Sequence, residues 1–228
     1  MKTVWAGRWA CVAIVLGVAA GCGQPDKTGG EAAPSAPGKP KIALIMKSLA
    51  NEFFLTMENG ARDHQKQHAD EYDLIASGIK DETDVDRQVR LVEQMVAQGV
   101  NAIVIAPADS KALIPACKKA IEKGITVVNI DNKFEADTLK EMNVQIPFVG
   151  PDNRKGAKLA ADYLAKRLKP GDPVAIVEGV PTAFNGVQRK LGFEDAMKEA
   201  GITIVTSQVG DWEVNKANQV VSSMLIAN

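Results

Sequence analysis

Lys41-Ile42-Ala43-Leu44-Ile45-Met46-Lys47-Ser48-Leu49-Ala50-Asn51-Glu52-Phe53-Phe54 reads as an apolar strand that empties directly into a helix. Crossovers of this kind, at the carboxyl edge of a parallel sheet, are where open α/β folds hold ligands. The turn offers no glycine to bring a phosphate against the backbone. It offers an amine at Lys47, an amide at Asn51 and two adjacent rings at Phe53 and Phe54. Rings cover the C–H faces of a neutral, hydroxyl-rich molecule, while amide and ammonium hydrogen-bond its rim.

Outward from that stretch, β-branched strands alternate with amphipathic helices. Strands are predicted at Lys41–Met46, Tyr72–Ala76, Ala102–Ile105 and Thr126–Ile130. A helix after Asp84 sets Val85, Val89, Val92 and Val96 on one stripe. The next is predicted to start with Asp109-Ser110 as its cap, to carry Pro115 early and to stop at Gly124. Repeated βα units imply a parallel sheet with right-handed crossovers.

The stretch 147–151 reads as a hinge, after which a second series begins. Its strands are predicted at Phe148–Gly150, Val174–Glu178 and Ile202–Ser207. Its helices are one capped by Asp152-Asn153, one burying Phe193, Met197 and Ala200, and a last one turning Val220, Met224 and Leu225 inward. Three strands make a thin core for so much helix, so the chain is expected to be C-terminally truncated relative to its functional parent.

The first 21 residues read as a signal peptide, with Lys2 and Arg8 ahead of the apolar run 9–20. That run is shorter than the roughly 20 residues a spanning helix needs. Val18-Ala19-Ala20-Gly21-Cys22 resembles the lipobox of bacterial lipoproteins, in which the cysteine carries the lipid; Ala19 stands where leucine is usual. An ordinary signal peptide cut nearby is the competing reading. Residues 23–39, rich in Gly, Pro, Ala and Ser, form a flexible tether. With Cys11 lost and Cys22 lipidated, Cys117 stands alone, so no disulfide framework is expected and Cys117 reads as a small buried hydrophobe. Without Lys2 and Arg8 the chain keeps 25 of its 27 basic residues against 28 acidic ones, a net of −3. That balance argues against nucleic acid or an anionic surface as a partner.

From Lys41 onward the chain resembles bacterial periplasmic substrate-binding proteins of the ribose-type sugar branch, most of all the D-allose-binding type. The resemblance rests on Met46–Phe54 and on Val128-Asn129-Ile130-Asp131-Asn132-Lys133 in the first half. In the second half it rests on Pro151-Asp152-Asn153, Val174–Gly179, Arg189 before Gly192-Phe193, Ser207-Gln208 and Asp211-Trp212. It implies a type I periplasmic-binding-protein fold: two Rossmann-like α/β lobes with parallel sheets, joined by a hinge, the second lobe incomplete. The implied division is signal peptide 1–21, lipid-anchored linker 22–39, N-terminal lobe 40–147 and C-terminal lobe 148–228.

The resemblance also implies an ABC-type sugar importer's binding component, clasping a neutral monosaccharide such as an allose-like hexose, a pentose or a polyol. It implies an ABC permease as partner, a monomer, no cofactor, no metal and no catalysis, and a place in the periplasm or cell envelope with only the Cys22 lipid in the membrane. The implied sugar contacts are Lys47, Asn51, Phe53, Phe54 and Asp131 from the first lobe, and Arg189 and Trp212 from the second. Asn132 and Asn185 are secondary candidates, read first as loop and turn residues. Competing readings are a solvated amine for Lys47, core packing for Phe53 and above all Phe54, and a helix cap for Asp131. Glu52 stands where proline is usual and Ala106 where ribose binders carry asparagine, which argues against ribose itself. The family's later ligand residues lie past residue 228, so weak or absent binding is expected of the chain as it stands.

Among rivals, His64 and His68 have a metal-ligand spacing but Gln65 where a metalloprotease carries glutamate, with no third ligand evident. A lactose-repressor-type regulator would carry a helix-turn-helix where this chain has its leader. A quorum-signal or chemoreceptor-linked binding protein on the same scaffold is the alternative that sequence separates least well.

Overall fold

The computed structural model describes residues 38–227. The predicted signal peptide, the lipidation site Cys22 and all of the predicted tether except Gly38 and Lys39 lie outside the described residues. Fourteen elements follow one another. They begin β1 (Lys41–Ser48), α1 (Glu52–Gln67), β2 (Asp73–Ile79), α2 (Val85–Ala97), β3 (Ala102–Ile105), α3 (Ile114–Glu122) and β4 (Thr126–Ile130). They continue with α4 (Ala136–Glu141), β5 (Phe148–Val149), α5 (Asn153–Ala165), β6 (Pro173–Glu178), α6 (Phe184–Glu199), β7 (Thr203–Val209) and α7 (Val214–Ala227).

The first sheet has order β2-β1-β3-β4-β5 with every pair parallel. β1 lies inside it, and residues 43–48 are buried without a break, as a strand covered on both faces must be. On one face, α2, α3 and Leu113 just ahead of α3 bring Leu91, Val92, Met95, Leu113 and Ile114 against Ile45, Ile103 and Ile105. Val85, Val89 and Val96 of the predicted stripe pack at the margin of that cluster. On the other face, Phe54 of α1 packs with Leu44, Met46 and Ala106. Cys117 is buried in the first cluster, and burial pushes its thiol up to about 12.

The second sheet pairs β6 with β7 in parallel. α5 and α6 pack against it around Ala161, Ala196, Met197 and Ile202. Gly192 permits that approach: a Cβ there would lie 2.2 Å from the Arg154 carbonyl oxygen.

Four sequence expectations change. Phe148–Val149, predicted in the second series, pairs with β4 at the edge of the first sheet; its two residues bond only across Asn129 and Ile130. Asp109 does not cap α3. Its carboxylate accepts from the amides of Lys111 and Ala112, closing a turn ahead of a helix that starts at Ile114 with Pro115 inside its first turn. The short α4 was not anticipated; Glu135 caps it by accepting from the Thr138 amide and hydroxyl. Leu225 is 77% exposed rather than inward. The inner stripe of α7 runs Ala217, Val220, Met224, and Leu225 sits one step around the helix from it.

Candidate functional site

The carboxyl ends of β1, β2 and β4 converge with the start of α6 and the turn after β7 on a cavity of about 160 Å³. All seven principal residues picked from the sequence line it: Lys47, Asn51, Phe53, Phe54 and Asp131 from the first lobe, Arg189 and Trp212 from the second. Asn185 lines it as well, and so does Glu82, which the sequence reading passed over.

Local structure explains each placement. The Asn51 side chain caps α1 by accepting from the Phe53 amide, which fixes the turn after β1. Phe54 then faces the core and Phe53, 55% exposed, stands at the mouth, with the two rings edge-to-face at 5.1 Å. Both readings of Phe54 meet here, since it packs against Met46 and also touches the cavity. Lys47 is fully buried rather than solvated. Its Nζ stands 4.3 Å from the Trp212 ring centroid and 5.7 Å from that of Phe54, within cation–π range.

Asp131 turns off the end of β4 with φ 57°. Buried Asn129 holds that turn, donating to the Asn132 carbonyl and accepting from the Phe134 amide. Trp212 follows Asp211 in a left-handed pair, φ 53° and 59°. Its ring lies against Gly179, where a Cβ would come within 2.2 Å of Cε2. Arg189 is oriented from behind, its Nε donating to Asn153 Oδ1 at 2.9 Å.

Asn132 does not line the cavity. Its amide donates to the Pro107 carbonyl, and its Oδ1 accepts from Ser110 Oγ and from the Asn185 amide. Ser110 Oγ also accepts from the Phe184 amide at 2.8 Å, and its own amide donates to the Thr182 carbonyl. α6 has no side-chain cap of its own at Ala183, so the first lobe caps the second lobe's helix.

The cavity holds two cations and two carboxylates, formally neutral as an uncharged ligand requires. Burial pushes the Asp131 carboxyl up, against the opposing pull of Lys47 and Arg189. Burial likewise pushes Lys47 down and Glu82 up, each opposed by the other. Lys47 Nζ, Glu82 Oε2 and Asn185 Oδ1 have no hydrogen-bond partner among the described residues. Such groups cost about 1–3 kcal/mol each when left unmet. The arrangement therefore suits a small ligand that brings both donors and acceptors between apolar faces.

His64 and His68 lie away from it, their rings stacked at 4.2 Å and facing Tyr72 and Glu71 at 2.8 Å. Among the described residues, no group of three or more His, Cys, Asp or Glu side chains could hold a metal ion.

A family model described as periplasmic binding protein domain matches residues 42–228. The D-ribose/D-allose-binding protein of Pseudomonas aeruginosa is 61% identical over 189 residues, 83% of this chain and 59% of that protein. The D-allose-binding periplasmic protein of Escherichia coli is 34% identical over 82% of this chain and 61% of its own length. Among solved structures, an ABC transporter solute-binding protein from Burkholderia multivorans superposes with a TM-score of 0.83 at 61% identity, covering 84% of this chain and 68% of that one. One from Actinobacillus succinogenes with bound D-allose gives 0.78 at 40% identity, covering 83% and 66%. The chain thus spans about three-fifths of the length of the curated relatives it matches.

Proposed function

This chain belongs to the periplasmic binding protein domain family, and from that premise we propose that it binds a neutral monosaccharide between its two lobes for an ABC-type importer. The family implies a periplasmic location; its named relatives are sugar-binding proteins, and solved neighbours are solute-binding proteins of ABC transporters. One observation carries the reading: three rings and six polar side chains converge from both lobes on one formally neutral cavity. Its volume leaves room for about five waters, below the roughly 300–1,000 Å³ of drug-sized pockets. That scale fits a single sugar ring.

The residue roles follow from the chemistry. Asp131 accepts two vicinal hydroxyls side by side. Arg189 offers a planar fork of donors from the other lobe. Phe53 and Trp212 cover opposite faces, Phe54 backs the pair, and Asn51 and Asn185 add amide contacts at the edge. A ligand bonded to Asp131 and Arg189 together gains both sets of contacts only when the lobes are closed, so it favours closure. The first sheet with its helices and the second sheet with its own act as the two moving bodies. An ABC permease would receive the closed monomer, and a lipid on Cys22 would keep it at the membrane.

Titration calorimetry of the purified protein with pentoses, hexoses and polyols tests this. At least one sugar should bind, weakly, with one-to-one stoichiometry, and Arg189→Ala should weaken it more than tenfold, the loss of one charge-assisted contact set of about 1.5–3 kcal/mol. Absence of binding to every sugar in the panel would overturn the proposal.

A further inference from the structure

β1 and β2 run side by side in parallel, with Met46 opposite Gly78 and Ser48 opposite Ile79. That register brings the residues leaving both strands to one edge. Ser48 Oγ ties the two exits together by donating to the Lys80 carbonyl at 2.6 Å. Lys47 leaves from one strand and Glu82 from just beyond the other, each with its side chain 1% exposed. Their charged atoms form an ion pair at 3.6 Å, longer than a direct hydrogen bond.

The carboxylate is used unequally. Oε1 accepts from the Asn51 amide at 3.2 Å, which fixes the plane of the group. Oε2 accepts from nothing among the described residues, and Lys47 Nζ donates to nothing. An acceptor and a donor, both buried and both unmet, therefore face one cavity side by side. An oxygen about 2.8 Å from each closes a triangle on the 3.6 Å base.

We infer that Glu82 and Lys47 form a subsite for one ligand hydroxyl, which donates its hydrogen to Glu82 Oε2 and accepts one from Lys47 Nζ. A hydroxyl meets both demands at once, as neither an ether oxygen nor a C–H can. Glu82 is therefore a specificity-determining residue. It enforces the presence and orientation of a single hydroxyl, because a ligand lacking it leaves a buried ion pair with one donor and one acceptor short of a hydrogen bond. The inference deepens the sugar-binding reading and rests on it.

The test takes a monosaccharide bound by the wild-type protein, its full set of monodeoxy and deoxyfluoro analogues, and Glu82→Gln. In the wild type, removing one particular hydroxyl should weaken binding roughly 10- to 100-fold, and fluorine there should restore little, since it cannot donate to the carboxylate. In Glu82→Gln that penalty should shrink several-fold while penalties at the other positions stay as they were. Equal weakening of every analogue by Glu82→Gln would overturn the inference, because Glu82 would then act only through Asn51 or the fold. So would a deoxy series without one dominant position, the result expected if water fills the slot as well as a hydroxyl. Should Glu82→Gln not fold by circular dichroism, the wild-type series decides alone: deoxyfluoro binding as tightly as the parent at the dominant position refutes donation to Glu82. Failure of all sugars to bind would be a different result, removing the sugar-binding reading itself and this inference with it.

Discussion

Replacing Ser110 with alanine should loosen the grip of one lobe on the other. The hydroxyl accepts from the Phe184 amide at 2.8 Å and donates to Asn132 Oδ1 at 3.3 Å, which itself receives the Asn185 amide at 3.1 Å. These bonds cap α6, a helix with no cap of its own. Loss of a cap costs about 1 kcal/mol, and a buried amide left unmet raises that to roughly 1–2 kcal/mol. If the loss falls on the closed form alone, the closed-to-open ratio drops roughly five- to thirty-fold. Amide hydrogen exchange measures it. Phe184 loses its own acceptor and must exchange faster for trivial reasons. The informative amides are those of residue 110, which donates to the Thr182 carbonyl, and of Asn185, since both keep their partners. Both should speed up by the same five- to thirty-fold factor while Met197, in the core of the second lobe, stays unchanged. Acceleration confined to Phe184 would refute the reasoning and reduce the contact to a local cap.

Three further outcomes follow from the packing. Gln88→Leu should cost about 2–3 kcal/mol in urea denaturation, because buried Gln88 accepts from the Ala108 amide at 2.7 Å and serves the Met46 and Ala106 carbonyls, and leucine leaves that amide orphaned. Gly179→Ala should weaken sugar binding roughly two- to tenfold, since the new Cβ displaces the Trp212 ring and an aromatic contact contributes about 0.5–1.5 kcal/mol; calorimetry showing unchanged affinity would contradict it. Glu178→Gln should lower stability by less than about 1 kcal/mol at neutral pH. Hydrogen bonds from Lys190 and then Ser207 hold the Glu178 carboxyl below its ordinary value, so this stability is complete above the unfolded value of about 4.3 and vanishes as pH falls through the folded one. A difference between variant and wild type that persisted in stronger acid would count against this.

Sequence made the crossover after β1 legible because its signals are local. An apolar run, an asparagine able to cap and two adjacent rings lie within one turn of each other. Asp131 was placed by the resemblance of Val128–Lys133, at the end of a strand that the local pattern did predict. Glu82 was missed because its signal is not local. It sits in Asp81-Glu82-Thr83-Asp84, an acidic stretch that reads as helix-start chemistry, and Asp84 does cap α2. Only the pairing of β1 with β2 reveals that the residue two places earlier points at Lys47. The signal that could have found it is its position at the carboxyl edge of the strand beside the one carrying Lys47. Asn132 was drawn toward the ligand by resemblance, whereas its role depends on Asn185, 53 residues away. The sheet membership of Phe148–Val149 was equally out of reach, since two residues carry no period and only a partner assigns them.

Among the described residues, the four non-glycine positions with left-handed backbone are Asn143 and three that shape the cavity rim: Asp131, Asp211 and Trp212. A conformation of that kind costs on the order of 1–3 kcal/mol where the side chain is bulky. A glycine at position 212 would relieve the penalty but forfeit the packing of the ring against Gly179 and Lys47. Heat tolerance gained by relaxing these positions comes at the expense of the rim that the proposed ligand needs, so directed evolution toward it has to score binding in the same round.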